Sequence, residues 1–222
     1  MLKETLTAGI AAFLLAASPA GGAAINFDSF PGMNFLGGVV PAASQLSNQL
    51  HSATGAVFSS EGGADYVAVA NLEIGSPSAH APSPPNGIGA VTAANQLFYG
   101  IPIVVTFFDP TDVTRPAVTD FVSVRADLRG IPGSVRLVAY GVDGSQIGSD
   151  TQPDSLGPLL SVSTPGIHSV TFFSDSGTVA FDDLTFNPVA AVPDGVIPEP
   201  GTLALMLGGG LALVCLRGRF AA

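Results

Sequence analysis

The apolar residues of this chain fall in short alternating runs rather than at helical spacing. Residues 121–128 are the clearest case: Val122, Val124, Ala126 and Leu128 lie on one side, Ser123, Arg125 and Asp127 on the other. That period of two predicts a half-buried strand with the carboxylate and guanidinium outward. Residues 64–74 alternate similarly, Tyr66, Ala68, Ala70 and Leu72 opposing Val67, Val69, Asn71 and Glu73. The run 101–108 is almost wholly apolar, which predicts a central strand buried on both faces. Further strands are expected at 25–28, 55–59, 135–140, 145–148, 167–173 and 179–186, roughly eight to ten in all. Pro31-Gly32, Asp109-Pro110, residues 130–133 and Asp143-Gly144 supply the breaks between them. Only 41–51 has helical spacing, at Ala42, Leu46 and Leu50 with Ser44 as a cap, and predicts a helical turn or two. The Pro- and Ser-rich stretch 75–89 reads as a surface loop.

This pattern, with 27 glycines and 18 prolines, points to an all-β sandwich or barrel. The chain has 222 residues, room for one such domain once its two unusual ends are set aside. At the N-terminus, an apolar run over 6–17 follows Lys3 and Glu4, and Ser18-Pro19-Ala20 or Gly22-Ala23-Ala24 offers small residues for cleavage. These features predict a secretory signal peptide over 1–24, ahead of a β domain over 25–190. At the C-terminus, Pro198-Glu199-Pro200-Gly201 precedes an uncharged run over 202–216, then Arg217 and Arg219. As a helix this run would be about 22 Å long, short of the roughly 30 Å hydrocarbon core. Gly208 to Gly210 weaken it further.

Between these ends lie fifteen acidic residues, four arginines and no lysine. Nucleic-acid binding is excluded as a leading function, because phosphate contacts need clustered cations. An acidic surface suits a divalent cation or solubility outside the cell. The single cysteine, Cys215, falls within the apolar tail. The domain therefore has no disulfide, thiolate nucleophile or Cys-based metal site.

The C-terminal stretch resembles the PEP-CTERM sorting signal of Gram-negative bacteria. Pro198, Glu199 and Pro200 match the motif that names that family, and the apolar helix over 202–216 and terminal arginines complete a signal over 191–222. The resemblance implies transient anchoring in the inner membrane and cutting at Pro-Glu-Pro by an exosortase-type processing enzyme. Release or attachment at the cell surface would follow. An ordinary tail anchor that stays in place is the alternative reading.

A second resemblance is carried by Ile25-x-Phe27-Asp28, by Gly55-x-x-Phe58-Ser59, by Val135 to Gly144, and by Phe181-Asp182-Asp183-Leu184-Thr185-Phe186. In this order they look like the jelly-roll β-sandwich domains of many PEP-CTERM proteins, which are similar to galactose-binding-like and carbohydrate-binding modules. The resemblance implies that Asp28 and Asp182, on the first and last strands, hold a structural Ca2+ with backbone carbonyls from 28–30. Hard cations take several oxygen ligands. Solvated or turn-capping carboxylates are the other reading of both residues.

Other candidates are weaker. Asp143 to Asp150 has acidic ends that suit a cation loop, or, more economically, a hairpin with Gly144 at positive φ. His51, His80 and His168 have no metal-ligand spacing, and no nucleophile motif or phosphate loop is present. Glu61 and Glu73 are conceivable glycosidase carboxylates without supporting context. A sugar platform would have to come from Tyr66, Tyr99 or Tyr140, since the chain has no tryptophan. The expectation is a non-enzymatic, exported cell-surface or matrix protein, with an exopolysaccharide-binding module as the alternative.

Overall fold

The computed structural model describes residues 22–193, apart from 35, 37, 74–80, 128–131, 155–156 and 178. Most of the expected signal segment, the sorting motif Pro198 to Pro200, the apolar run 202–216, His80 and Leu128 lie outside the described residues. In chain order the strands are β1 (Ala23–Ile25), β2 (Met33–Asn34), β3 (Gln45–Leu46), β4 (Ala56–Ser60), β5 (Val67–Asn71), β6 (Asn86–Gly89) and β7 (Ile103–Asp109). They continue as β8 (Asp112–Ala126), β9 (Ser134–Tyr140), β10 (Gln146–Pro153), β11 (Leu159–Ile167), β12 (Ser169–Ser174), β13 (Phe181–Phe186) and β14 (Ala190–Ala191). Among the described residues, helix is confined to one 3-10 turn at Ala42–Ser44 and the four-residue α1 (His51–Thr54). The protein is all-β. No helix among the described residues is long and apolar enough to cross a membrane.

Hydrogen bonds link the strands in the order β10-β9-β12-β7-β8-β13-β6-β5-β2, with β4 on β7, β11 and β14 on β8, β1 on β13 and β3 on β5. The β7–β8 hairpin, paired at Asp109 and Asp112, carries the chain from one set of strands to the other. Phenylalanines from the two sets then meet across the core. The Phe172 and Phe181 rings lie 4.9 Å apart, as do Phe107 and Phe186, and Phe27 meets Phe58 edge-on at 5.9 Å. All six are fully buried, and truncating one such ring to alanine costs about 3–5 kcal/mol. A smaller cluster on the far side of β5 joins Ala68, Ala70 and Leu72 to Val91, Leu97 and Ala180. Strand β5 is therefore buried on both faces, while its alternation is as expected.

Several elements differ from the sequence reading. Strand β7 buries Ile103, Val105 and Phe107, but Val104, Thr106 and Phe108 are only half-buried, so it has one core face rather than two. Asp127 is buried instead of outward. The helical spacing over 41–51 yields a 3-10 turn and then strand β3, because Leu46 pairs with Val67 and enters the main core. Residues 86–89, expected in a loop, form the fully buried strand β6. Its glycines permit this: a Cβ on Gly89 would stand 2.6 Å from side-chain atoms of Leu97 and Tyr99. Strand β11, with Leu160 and Val162 inward, was not anticipated.

Both ends of the described chain run toward the Asp112 end of β8. Strand β1 starts with Ala23 opposite Phe186, and β14 passes Val118 and then Ala117. Val192 N–H donates to the Pro116 carbonyl.

A carboxylate pair and a polar cleft on the last strand

Strand β13 must put Phe181, Leu184 and Phe186 into one core, although 181 and 184 have opposite parity. A bulge solves this: Asp182 pairs with Arg125, but Thr185 rather than Leu184 pairs with Ser123. Asp183 absorbs the extra residue with φ of 50°, a conformation in which Asp is tolerated and β-branched residues are not. The bulge turns Asp182 inward, fully buried, and leaves Asp183 half-exposed.

Asp182 is held by three donors. Its Oδ2 accepts from Ser83 N–H and Oγ, both at 2.9 Å, and its Oδ1 accepts from Asp183 N–H at 2.7 Å. Burial outweighs these bonds and pushes its pKa up to about 7. The Ser83 hydroxyl is also 2.8 Å from Asp183 Oδ1, yet it has one hydrogen for two carboxylates. Protonated Asp182 resolves this, donating to Ser83 Oγ while Ser83 donates to Asp183. Arg125 Nε lies 4.0 Å from Asp183 Oδ2 on the outer side.

Asp28 meets the other end of the same short segment. Its Oδ1 accepts from Asn86 N–H at 3.2 Å and its Oδ2 from Asn26 Nδ2 at 3.0 Å. Asn86 Nδ2 donates to the Phe30 carbonyl at 2.9 Å and, at a longer 3.4 Å, to that of Phe27. Asn86 Oδ1 is buried without a hydrogen-bond partner. It points at Gly32, where a Cβ would come within 2.3 Å of it. Residues 83–86 thus connect the two predicted carboxylates: Ser83 to Asp182, Asn86 to Asp28. No group of three His, Cys, Asp or Glu side chains placed to hold a metal occurs among the described residues.

Beside Asp183 opens a cleft of about 530 Å³ on the outer face of β11, β8, β13 and β1. Asn26, Ser123, Arg125, Leu159, Asp183 and Thr185 line it. Register makes it two rungs of neighbours. Leu159 and Asp182 flank Arg125, and Thr185 stands between Ser123 and Ala24.

The remaining candidates fall elsewhere. Asp143 accepts from Ser145 N–H at 3.0 Å and Oγ at 2.6 Å, with Gly144 at φ 78°, as a hairpin requires. Asp150 instead accepts from Ser161 N–H on β11 at 2.9 Å. His168 Nδ1 lies 2.9 Å from the Ala117 carbonyl. Glu61 and Glu73 are exposed in turns, and Tyr140 is half-buried. Sequence reasoning singled out Asp182-Asp183 but missed Ser83, which lies 99 residues away from Asp182 in sequence and carries no local signal.

No family model matches the chain, and no curated protein is similar to it. Among solved structures, it is similar to the K2 cleaved adhesin domain of Lys-gingipain at 15% identity and TM-score 0.38, covering 75% of this chain and 97% of that one. It is also similar to the enzymatically active domain of bacteriophage CBA120 tailspike protein 4, at 10% identity and TM-score 0.24 over 66% of this chain and 20% of that one. Neither likeness is close enough to bear on function.

Proposed function

We propose that the chain is an exported, non-enzymatic bacterial cell-surface or extracellular-matrix protein built on one jelly-roll β-sandwich. A signal peptide delivers it. The apolar run 202–216 holds it in the inner membrane until an exosortase-type enzyme acts at Pro198, Glu199 and Pro200. The observation that carries this reading is the order of a Pro-Glu-Pro element, an uncharged apolar run and terminal arginines behind an all-β domain. Of the two candidate signal cleavage sites, pairing of Ala23 with Phe186 and Ala24 with Thr185 favours the cut after Ala20, which keeps β1 whole. Mass spectrometry of the protein outside the cell is expected to find an N-terminus at Gly21 and no peptide from 202–216. Full-length tail lodged in the cytoplasmic membrane of a host with a working processing enzyme would overturn the proposal.

A structural Ca2+ at Asp28 and Asp182 belongs to the same reading. The donor chemistry fits a hard cation: two carboxylates, the Phe27 and Phe30 carbonyls and the unpartnered amide oxygen of Asn86 are all oxygens. Bound there, the ion would neutralise the charge that burial opposes at Asp182. Added calcium is expected to raise the melting temperature of the exported protein, EDTA to lower it, and Asp28→Ala to abolish the response. A melting temperature indifferent to both reagents would remove the ion from the reading.

The polar cleft favours a second reading, a module that recognises exopolysaccharide. Ligand sites are commonly concavities of about 300–1,000 Å³ with a few convergent polar groups. Pull-down on the host's own exopolysaccharide tests it.

A further inference from the structure

Resting on that second reading, we infer that the cleft beside the β13 bulge is a binding site for a neutral saccharide with adjacent hydroxyl groups. The first argument is charge. Arg125 and Asp183 carry opposite charges 4.0 Å apart at its wall, so neither an anionic nor a cationic ligand finds a matched site. An anion meets Asp183 and an acidic domain, and a cation meets Arg125. A ligand that both donates and accepts without net charge satisfies the pair. Vicinal hydroxyls do this, one donating to the carboxylate and its neighbour accepting from the guanidinium.

The second argument is the lining. Thr185 and Ser123 add hydroxyls that can donate or accept, and Asn26 adds an amide oriented by its bond to Asp28 Oδ2. Leu159 is 47% exposed on the same face. It offers an apolar surface for the C–H side of a sugar ring, a role that the tyrosines do not take here.

The third is strain. Asp183 is held at φ 50° in a bulge, and the Ser83 hydroxyl fixes its Oδ1 from behind. This leaves Oδ2 facing Arg125 and the cleft. Backbone strain and bulges are concentrated where a side chain must be aimed.

The test is affinity electrophoresis of the exported protein in native gels containing galactomannan, xyloglucan or dextran, with alginate as an acidic polymer. Retardation is expected in at least one neutral gel and not in alginate. Asp183→Asn, which tolerates positive φ equally well, and Arg125→Gln are each expected to weaken retardation by about tenfold or more at unchanged melting temperature. Leu159→Ser, at an exposed position, weakens it without risk to folding. Retardation that survives all three substitutions overturns this site while leaving carbohydrate binding intact. No retardation in any gel overturns both, and retardation in alginate alone overturns the neutral class.

Discussion

Replacing Asp182 with asparagine stabilises the EDTA-treated protein by about 2–3 kcal/mol at pH 8 and destabilises it by about 1 kcal/mol near pH 4. The sign follows from the proton inventory. Burial raises the folded-state pKa of Asp182 from 3.8 to about 7, so between those values the native state holds a proton that the unfolded chain has lost. Stability contributed by this group is therefore complete below pH 4 and falls as pH rises through 7, by about 4 kcal/mol in total at 1.36 kcal/mol per unit. Asparagine never ionises and escapes that loss. It keeps an acceptor for Ser83 but turns an N–H toward the Asp183 N–H, a mismatch costing about 1–2 kcal/mol that protonated Asp182, with its proton directed at Ser83 Oγ and its Oδ1 still accepting from Asp183 N–H, does not carry. Other carboxylates act in the opposite direction. Asp109, Asp112 and Asp143 have pKa values lowered chiefly by the hydroxyls of Thr111, Thr114 and Ser145. Their contribution is present above the unfolded value and lost as pH falls. The quantity to measure is therefore the difference between wild type and variant in urea unfolding at several pH values. A difference that does not grow from pH 5 to pH 8 contradicts the assignment.

Gly55→Ala is expected to destabilise the domain by about 2–4 kcal/mol, and Gly144→Ala by only about 1. Both glycines adopt positive φ, 80° and 78°, and share the conformational cost of an L-residue there. Their surroundings differ. A Cβ on Gly55 would fall 2.5 Å from the Phe108 carbonyl oxygen and 2.7 Å from Val189 Cγ2, whereas nothing lies within 4 Å of one on Gly144. Gly55 also ends α1, donating to the His51 carbonyl at 2.7 Å, and accepts from Phe108 N–H at 2.9 Å. The obstructing backbone oxygen belongs to β7 and cannot withdraw without disturbing that strand. Equal losses in urea denaturation of the two variants would show that space at Gly55 is not limiting.

The all-β class was legible because alternation is a local property. Val122, Val124 and Ala126 declare their face within five residues, as do Val135, Leu137 and Ala139, and all six are buried. What failed was whatever depends on distant partners. Strand β6 reads Asn-Gly-Ile-Gly, a loop by composition, and becomes a strand because β5 and its neighbours need a segment with almost no side chains. Asp127 has strand parity for solvent, but the chain leaves β8 there and its N–H donates to the Ala180 carbonyl. In the site, the adjacent carboxylates of β13 stood out in the sequence. The bulge that separates their environments did not, since it follows from the conflicting parities of Phe181 and Leu184. Ser83 and Arg125 join the pair only once β8 and the segment 83–86 are in place.

Strand β1 starts opposite Phe186, the β13 residue that pairs with Val122, and β14 stops opposite Ala117, so the first and last strands meet the sheet toward the same half of β8. A domain arranged this way is a plug-in part. It can be spliced into a loop of a host protein, or closed into a ring by a short linker and reopened at the Asp143-Gly144 hairpin, without disturbing the order in which its strands pair.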